Sequence, residues 1–514
     1  MSKIEETKKN MGLKSIFTGL FETREQLTAA NTRRAEKAVT IDGIASLGMG
    51  SLQGGVFLSA FAIALGANNY EIGLIASFVF ISQLMQFPGL ILLRNLKKRR
   101  AITFMAAGLS RFLWLFIILI PILFVSKGIT FMLQWLLMSM LAGALAGPSW
   151  NSLLRDVIPA EKFGKIFSVR LMWGTALALL MTIGGGYFVD WWKVSFPENS
   201  LYAYSILFTV GLGLGIIGIT AISRVPEPPM ADLDSESLFK EIFKPLKELN
   251  FRRLLVFSGL WTFAVNLAGP FFVVYMLDRI GLSVFMITLL TVTSQVTNII
   301  FFRIWGKAAD RFSNKSVLAI TGPIFMIVIL AWTFTTMPER YFLTIPLLFV
   351  IHALSGISTA GVTLASTNIA LKLSPKGQAH IYMTVFSMVA AVAGSVSPLL
   401  GGVIADFFSA RELSFAINWS APTEEVTFNA LNFKALDFLF FIAFLVGMYS
   451  LNRLSKVKEE GEVDEKEVIS HLKNELALPL RTITSVEGLR RFIVMPITAV
   501  TKINKDRDSE VNKE

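Results

Sequence analysis

The sequence predicts an all-α polytopic membrane protein with 12 transmembrane helices in two pseudo-symmetric six-helix bundles. Three observations lead there. Of 514 residues, 53% are hydrophobic and 17% charged, whereas a soluble domain carries roughly a quarter charged. The apolar residues fall in blocks of roughly twenty, the length that crosses about 30 Å of hydrocarbon, and mean hydropathy is +0.59. The second half of the chain also repeats the Gly, Pro and Asp punctuation of the first.

Residues 1–37 are mostly polar and charged, with no apolar core ahead of a small-residue cleavage site. No cleavable signal peptide is predicted, and the stretch reads as a cytoplasmic N-terminal segment. Spans follow at roughly 38–65, 70–93, 101–125, 129–150, 167–190 and 201–223, an N-terminal bundle over 38–223. A polar linker, 224–251, opens on Pro226, Pro228 and Pro229 and carries an amphipathic piece from Leu238 to Leu249. The C-terminal bundle, 252–453, has spans at roughly 252–277, 283–305, 316–337, 341–371, 378–407 and 433–453. A cytoplasmic tail, 454–514, offers surface helices near 467–476 and 486–500. Each span is read as helix, because a lipid-exposed backbone must satisfy its own hydrogen bonds and the runs are too long for barrel strands.

The net charge is +11. Rather than marking a nucleic-acid surface, Lys and Arg gather in alternate loops: Arg94 to Arg100, Arg155 to Lys165, the linker, and Lys307 to Lys315. The opposite loops are poorer, with none over 67–71 and a single Lys127 or Lys193 in the next two. Both termini are therefore predicted to be cytoplasmic, in a multi-pass protein of the plasma or inner membrane. No cysteine is present and only three histidines, so neither a disulfide framework nor a thiolate or His-rich metal site is expected.

Internal repetition is the most informative feature. Sliding the chain along itself by one nearly constant offset lays Gly54, Phe57, Gly66 and Leu74 on Gly269, Phe272, Gly281 and Leu289. Further along, Gly89 falls on Gly306 and Pro159 on Pro375, and Gly185, Gly186 and Asp190 fall on Gly401, Gly402 and Asp406. The loop after the eighth span reads Gly306-Lys-Ala-Ala-Asp310-Arg311-Phe-Ser-Asn-Lys315. With the two sets of six spans, it resembles the Gly-x-x-x-Asp-Arg-x-Gly-Arg-Lys loop of the major facilitator superfamily. The copy after the second span keeps Gly89, Arg94 and the basic run but has Leu93 where Asp is expected and Leu96 where Gly is expected. Gly394-Ser-Val-Ser-Pro398-Leu-Leu-Gly401-Gly402 is similar to the Gly/Pro motif of the family's antiporters, which belongs to the fifth span; the fifth span here has no Pro, so antiport is not inferred. The resemblance implies secondary transport by alternating access, with Gly306, Asp310, Arg311 and Lys315 as a gating loop.

An ionisable side chain inside a span is costly unless paired or hydrated, so each is a site candidate. Arg111 lies about 16 Å beyond the basic loop at roughly 1.5 Å per residue, and Asp42 lies in the first span. The two are expected to pair, with Arg111 snorkelling towards the cytoplasm. A static pair that fixes helix packing is weighed against Arg111 receiving an anionic group or Asp42 carrying a coupling proton. Gln53, Gln83, Gln134, Asn266, Gln295, Asn298 and His352 complete the candidates. Amides suit a polar neutral substrate, and equally serve as interhelical glue. Gln83 and Asn298 are related by the same offset as the repeated glycines, which suggests equivalent polar positions. Trp135, Trp173 and Trp261 are weighed as cavity lining or packing. Gly50-x-x-x-Gly54, Gly143-x-x-x-Gly147 and Gly211-x-x-x-Gly215 permit close helix contact.

An ATP-driven pump would need a phosphate-binding Gly-x-x-x-x-Gly-Lys-Ser/Thr, which is missing. A membrane-embedded enzyme would show a catalytic constellation and a channel a filter or pore ring; these are the alternatives. The expectation is a transporter, not an enzyme, without cofactor or metal. Its partners would be a small-molecule substrate, the lipid bilayer and protons, with no nucleic acid and a monomer as the working unit. Sugar or nutrient uptake and drug-like efflux both fit.

Overall fold

The computed structural model describes residues 28–230, 243–336, 340–375, 378–421 and 424–459. Among them are twelve helices long and apolar enough to span a bilayer: α1 (Ala30–Ala64), α2 (Asn69–Leu96), α3 (Arg99–Leu123), α4 (Gly128–Val157), α5 (Glu161–Ser195), α6 (Tyr202–Ile222), α7 (Leu249–Arg279), α8 (Val284–Arg311), α9 (Asn314–Phe334), α10 (Thr344–Lys372), α11 (Ile381–Phe408) and α12 (Leu436–Leu454). They pack as two bundles of six. In the first, α1 packs on α5 and α6, and α4 on α2 and α3; in the second, α7 packs on α11 and α12, and α10 on α8 and α9. The bundles meet where α2 lies against α11 and α5 against α8.

The helices outrun the apolar blocks at the ends nearest the linker. α1 starts well before residue 38, its entry capped by Thr28, whose hydroxyl accepts from the Asn31 amide at 3.3 Å. The added turns carry Arg33, Arg34, Glu36 and Lys37, which a search for oily runs passes over. Of the amphipathic piece at Leu238–Leu249, a single turn at Lys244–Lys247 lies within the described residues ahead of α7; the tail helices lie outside them.

The hairpin between α11 and α12 is not among the elements the span pattern predicts. β1 (Glu412–Ala421) pairs antiparallel with β2 (Glu424–Lys434), Glu412 opposite Lys434 and Ile417 opposite Phe428, with an irregularity at Phe415/Ala416. Its sequence signal is the alternation of Leu413, Phe415 and Ile417 with other residues. The hairpin lengthens this connection, so Glu459, which follows it, stands further from its repeat counterpart Glu227 than Asp406, which precedes it, stands from Asp190.

Three helices are interrupted at mid-course. α1 breaks at Gly54, and Gly55 adopts φ +53°, a conformation that costs any residue with a Cβ. In α7 the repeat-related Gly269 and Pro270 keep helical backbone angles, the proline interrupting only the hydrogen-bond ladder, and the helix ends in a widened turn at Tyr275–Arg279. α2 tightens over Gln83–Met85.

Candidate transport path between the two bundles

On the face opposite the linker, each bundle holds the other by the same device. The Asp190 carboxylate, at the end of α5, accepts from the first two amides of α8, Val284 at 3.1 Å and Phe285 at 2.8 Å. The Asp406 carboxylate, at the end of α11, accepts from the Asn69 side-chain amide at 2.9 Å and the Tyr70 backbone amide at 3.1 Å, at the start of α2. A helix N-terminus presents unpaired N–H groups and a partial positive charge, so a carboxylate there is a charge-assisted cap. Glycines bring the backbones close enough. A Cβ on Gly186 would lie 2.4 Å from the Thr288 hydroxyl, one on Gly402 2.6 Å from the Tyr70 Cα, and one on Gly73 2.2 Å from the Pro398 carbonyl. The glycine–proline stretch of α11 thus works as a backbone-to-backbone seam. The sequence repeat pairs the two aspartates; that they cap across the bundles emerges only from the fold.

Inside the first bundle, Asp42, Ser46 and Gln53 form a polar seam from α1 towards α6. Ser46 donates to Asp42 at 3.2 Å, and the Gln53 amide donates to the Phe208 carbonyl at 3.1 Å. The α6 glycines accommodate them: Gly211 faces Gln53, Gly215 faces Arg111 and Gly218 faces Asp42. The expected Asp42–Arg111 ion pair is not made. Arg170 of α5 reaches Asp42 instead, at 3.6 Å. It does so across Gly43, where a Cβ would lie 1.8 Å from Arg170 Nε. Arg111 donates to the Gly215 carbonyl at 3.0 Å and to the Ala107 carbonyl at 3.1 Å, one turn nearer the linker face, so the snorkelling direction is as expected. Arg170 escapes the sequence reading because it sits a few residues inside an apolar block; α5 begins at residue 161, so Arg170 lies more than two turns along the helix, level with Asp42.

The remaining candidates scatter. Gln83 lies in the tightened turn of α2, where Gln86 donates to it. Its repeat mate Asn298 donates to the Gly356 carbonyl of α10 at 3.3 Å, so the two are not equivalent. Asn266 bonds back to the Thr262 carbonyl at 2.8 Å, one turn from Gly269. His352 Nδ1 lies 2.8 Å from the Leu348 carbonyl and must donate to it, and its ring meets Trp332 edge-on at 5.4 Å. Gln134, exposed, and Gln295, half-buried, make no side-chain hydrogen bond among the described residues. Trp135 stacks on Phe116 at 4.2 Å and Trp261 packs against Phe325, whereas Trp173 is exposed.

On the linker face the carboxylate caps stay within each bundle. Glu227 accepts from the Arg99 amide at the start of α3, and Arg99 pairs with Asp156 at the end of α4. Glu459 accepts from the Lys315 amide at 2.7 Å at the start of α9, and from Lys372 at the end of α10 at 3.1 Å. Burial holds the Glu227 carboxyl above its usual range despite the caps and the nearby arginines. Of the predicted gating loop, Lys315 belongs to this latch, Arg311 lies over the Phe312 ring, and Gly306 has room for a Cβ, which would lie 3.7 Å from the Leu364 side chain. Asp310 is exposed without a hydrogen-bonding or ionic partner among the described residues. Gly89 is a packing residue: a Cβ there would lie 2.7 Å from the Leu145 carbonyl of α4. Arg94 is exposed.

A family model described as Major Facilitator Superfamily matches residues 43–398. No curated protein matches the chain. Among solved structures it is similar to the nucleoside transporter NupG (12% identity, TM-score 0.62, covering 82% of this chain and 98% of that one). A D-xylose-proton symporter has 14% identity and TM-score 0.61, over 83% and 98% of the two chains. A bacterial homologue of the iron transporter ferroportin, in an inward-facing state, has 12% identity and TM-score 0.60, over 84% and 99%.

Proposed function

The chain belongs to the major facilitator superfamily, and from that premise we propose a secondary transporter that moves a small polar solute by alternating access, here closed on the face opposite the linker. The observation that carries the reading is the pair of inter-bundle caps, Asp190 on α8 and Asp406 on α2, both at one face. Locks of this kind suit a protein that must break them: each is a few hydrogen bonds at a half-buried rim rather than a continuous apolar core. The opposite state has its own lock in Asp310. α5 and α8 run antiparallel, so closing the linker face brings the α8 end to the start of α5, where the Asp310 carboxylate finds free amides.

The solute passes the break in α1 and the proline interruption of the α7 hydrogen-bond ladder. Interrupted helices at corresponding places in two repeats expose backbone polar groups at mid-membrane and mark transporter binding sites. Asn266, one turn from Gly269, lies nearest such a solute, and Gln134 and Gln295 keep side-chain amides without a hydrogen bond among the described residues; Gln53 is spent on the Phe208 carbonyl. Coupling is to protons, carried at the Asp42–Arg170 pair, where protonation of the carboxylate frees the guanidinium; Arg111 and His352 serve packing. A D-xylose-proton symporter of the same fold is a precedent for the coupling. The working unit is a monomer, with both termini in the cytoplasm of a cell bounded by this plasma or inner membrane.

A thermal-shift screen of polar solutes on purified protein, followed by uptake of the hits into proteoliposomes, tests the assignment. Uptake no faster than into empty liposomes would refute transport of those hits. Rates indifferent to an imposed pH gradient would refute proton coupling alone.

A further inference from the structure

The geometry points to two repeat-related binding clefts for the phosphate headgroup of an anionic phospholipid, on the linker face between the first and last helices of each bundle. The first is a cleft of about 580 Å³ between the start of α1 and the end of α6. Its cations are Arg33, Arg34 and Lys37 from α1 and Arg224 from the end of α6, all exposed. Its floor is apolar, made by Ala38 and Ala221, and Ile41 continues it onto the exposed side of α1. The second, about 190 Å³, lies between α7 and α12, with Arg252, Arg253, Arg453 and Lys456 around Leu249 and Val256. The offset that relates the glycines of the two bundles also lays Lys37 on Arg252 and Ile41 on Val256, so the fold builds the same cleft twice.

A positive face alone would only orient the protein in the membrane. Three features go beyond that. The first-cleft cations have no carboxylate partner among the described residues, while the acid on the same turn, Glu36, is taken by Lys162 of α5 at 3.0 Å. In the second cleft Arg253 is held to the Lys456 carbonyl at 3.0 Å, and Arg453 lies over the Tyr449 ring at 4.7 Å and donates through Nη2 to its hydroxyl, leaving Arg453 Nε buried with no hydrogen-bond acceptor among the described residues. And in each cleft the cations adjoin exposed aliphatic side chains, Ile41 in one and Val256 and Leu249 in the other. A guanidinium fork takes a phosphate bidentately, and basic pockets between helices at a cytoplasmic interface suit anionic headgroups whose chains lie along the helices. A free phosphate would use the cations but not the apolar wall.

The test measures lipid retention by native mass spectrometry of the full chain released from phosphatidylglycerol micelles, with phosphatidylcholine and inorganic phosphate as the other arms. Phosphatidylglycerol should be retained well above phosphatidylcholine, and inorganic phosphate should not displace it. The R33K/R34K/R224K and R252K/R253K/R453K variants keep charge and topology but lose the fork, and each should lower retention severalfold. Glutamine at the same positions should lower it by about fivefold for each cation removed. Equal retention of the two lipids, or lysine variants indistinguishable from the parent, would overturn the proposal. Displacement by inorganic phosphate would overturn it too, assigning the clefts to a soluble anion instead.

Discussion

Weakening the inter-bundle caps should open the face opposite the linker. Asp190 and Asp406 each accept two hydrogen bonds from the other bundle. Asp→Asn keeps the shape of the side chain but removes the charge and one acceptor. A hydrogen bond to a charged group contributes roughly 1.5–3 kcal/mol and a charge at a helix N-terminus about 0.3–1 kcal/mol. Both carboxylates are only half-buried, so solvent screening leaves about 1 kcal/mol at each site. The two sites sit on different helix pairs and should add. The double variant D190N/D406N therefore loses about 2 kcal/mol, a shift of roughly 30-fold in the closed-to-open ratio. The chain has no cysteine, so spin labels at V194C and F342C enter a clean background. These positions are 84% and 86% exposed, one in each bundle at this face. Double electron–electron resonance in detergent should show a longer-distance population growing in the single variants and growing further in the double. An unchanged distance distribution in the double variant would refute the assignment of these caps as a lock.

Gly73→Val should give the same opening by a steric route, because its Cβ would meet the Pro398 carbonyl of the other bundle and no rotamer avoids a backbone atom; the same label pair reads it, and an unmoved distribution would count against the seam. Asp310→Asn should leave the present state intact and slow proteoliposome uptake, since only the opposite lock is lost; parental rates would return the loop to a topology signal. Gly55→Ala, at φ +53°, should lower thermal stability by about 1–2 kcal/mol through left-handed strain, and a neutral melt would show that the α1 break relaxes. For Glu227, burial raises the folded-state pKa, so the folded form binds the proton more tightly than the unfolded form. Stability at this latch is then greatest in acid and falls as pH rises above the unfolded value near 4.5. Glu227→Gln should flatten that decline in melts across pH 4–8, and parallel curves for the two proteins would discard it.

Hydropathy, charge placement and repetition are enough for the twelve spans, their division into two bundles and the family, because each follows from a demand that acts along the chain: a bilayer must be crossed, and duplicated helices keep their punctuation. The polar turns that begin α1 and end α8 are invisible to that demand, and so is the α11–α12 hairpin, too short and alternating for a span. What only the tertiary structure decided is which polar groups meet. Asp42 is legible as a buried charge, but its partner is Arg170 rather than Arg111, chosen by a glycine on one helix and the reach of a side chain on another. Asp190 and Asp406 are legible as a repeated pair, but not as caps, since a helix N-terminus becomes an electrostatic partner only once packing carries it to the carboxylate. Periodicity records which side of a helix is oily; hydrogen bonds between distant segments depend on distances of a few ångströms that no local pattern encodes.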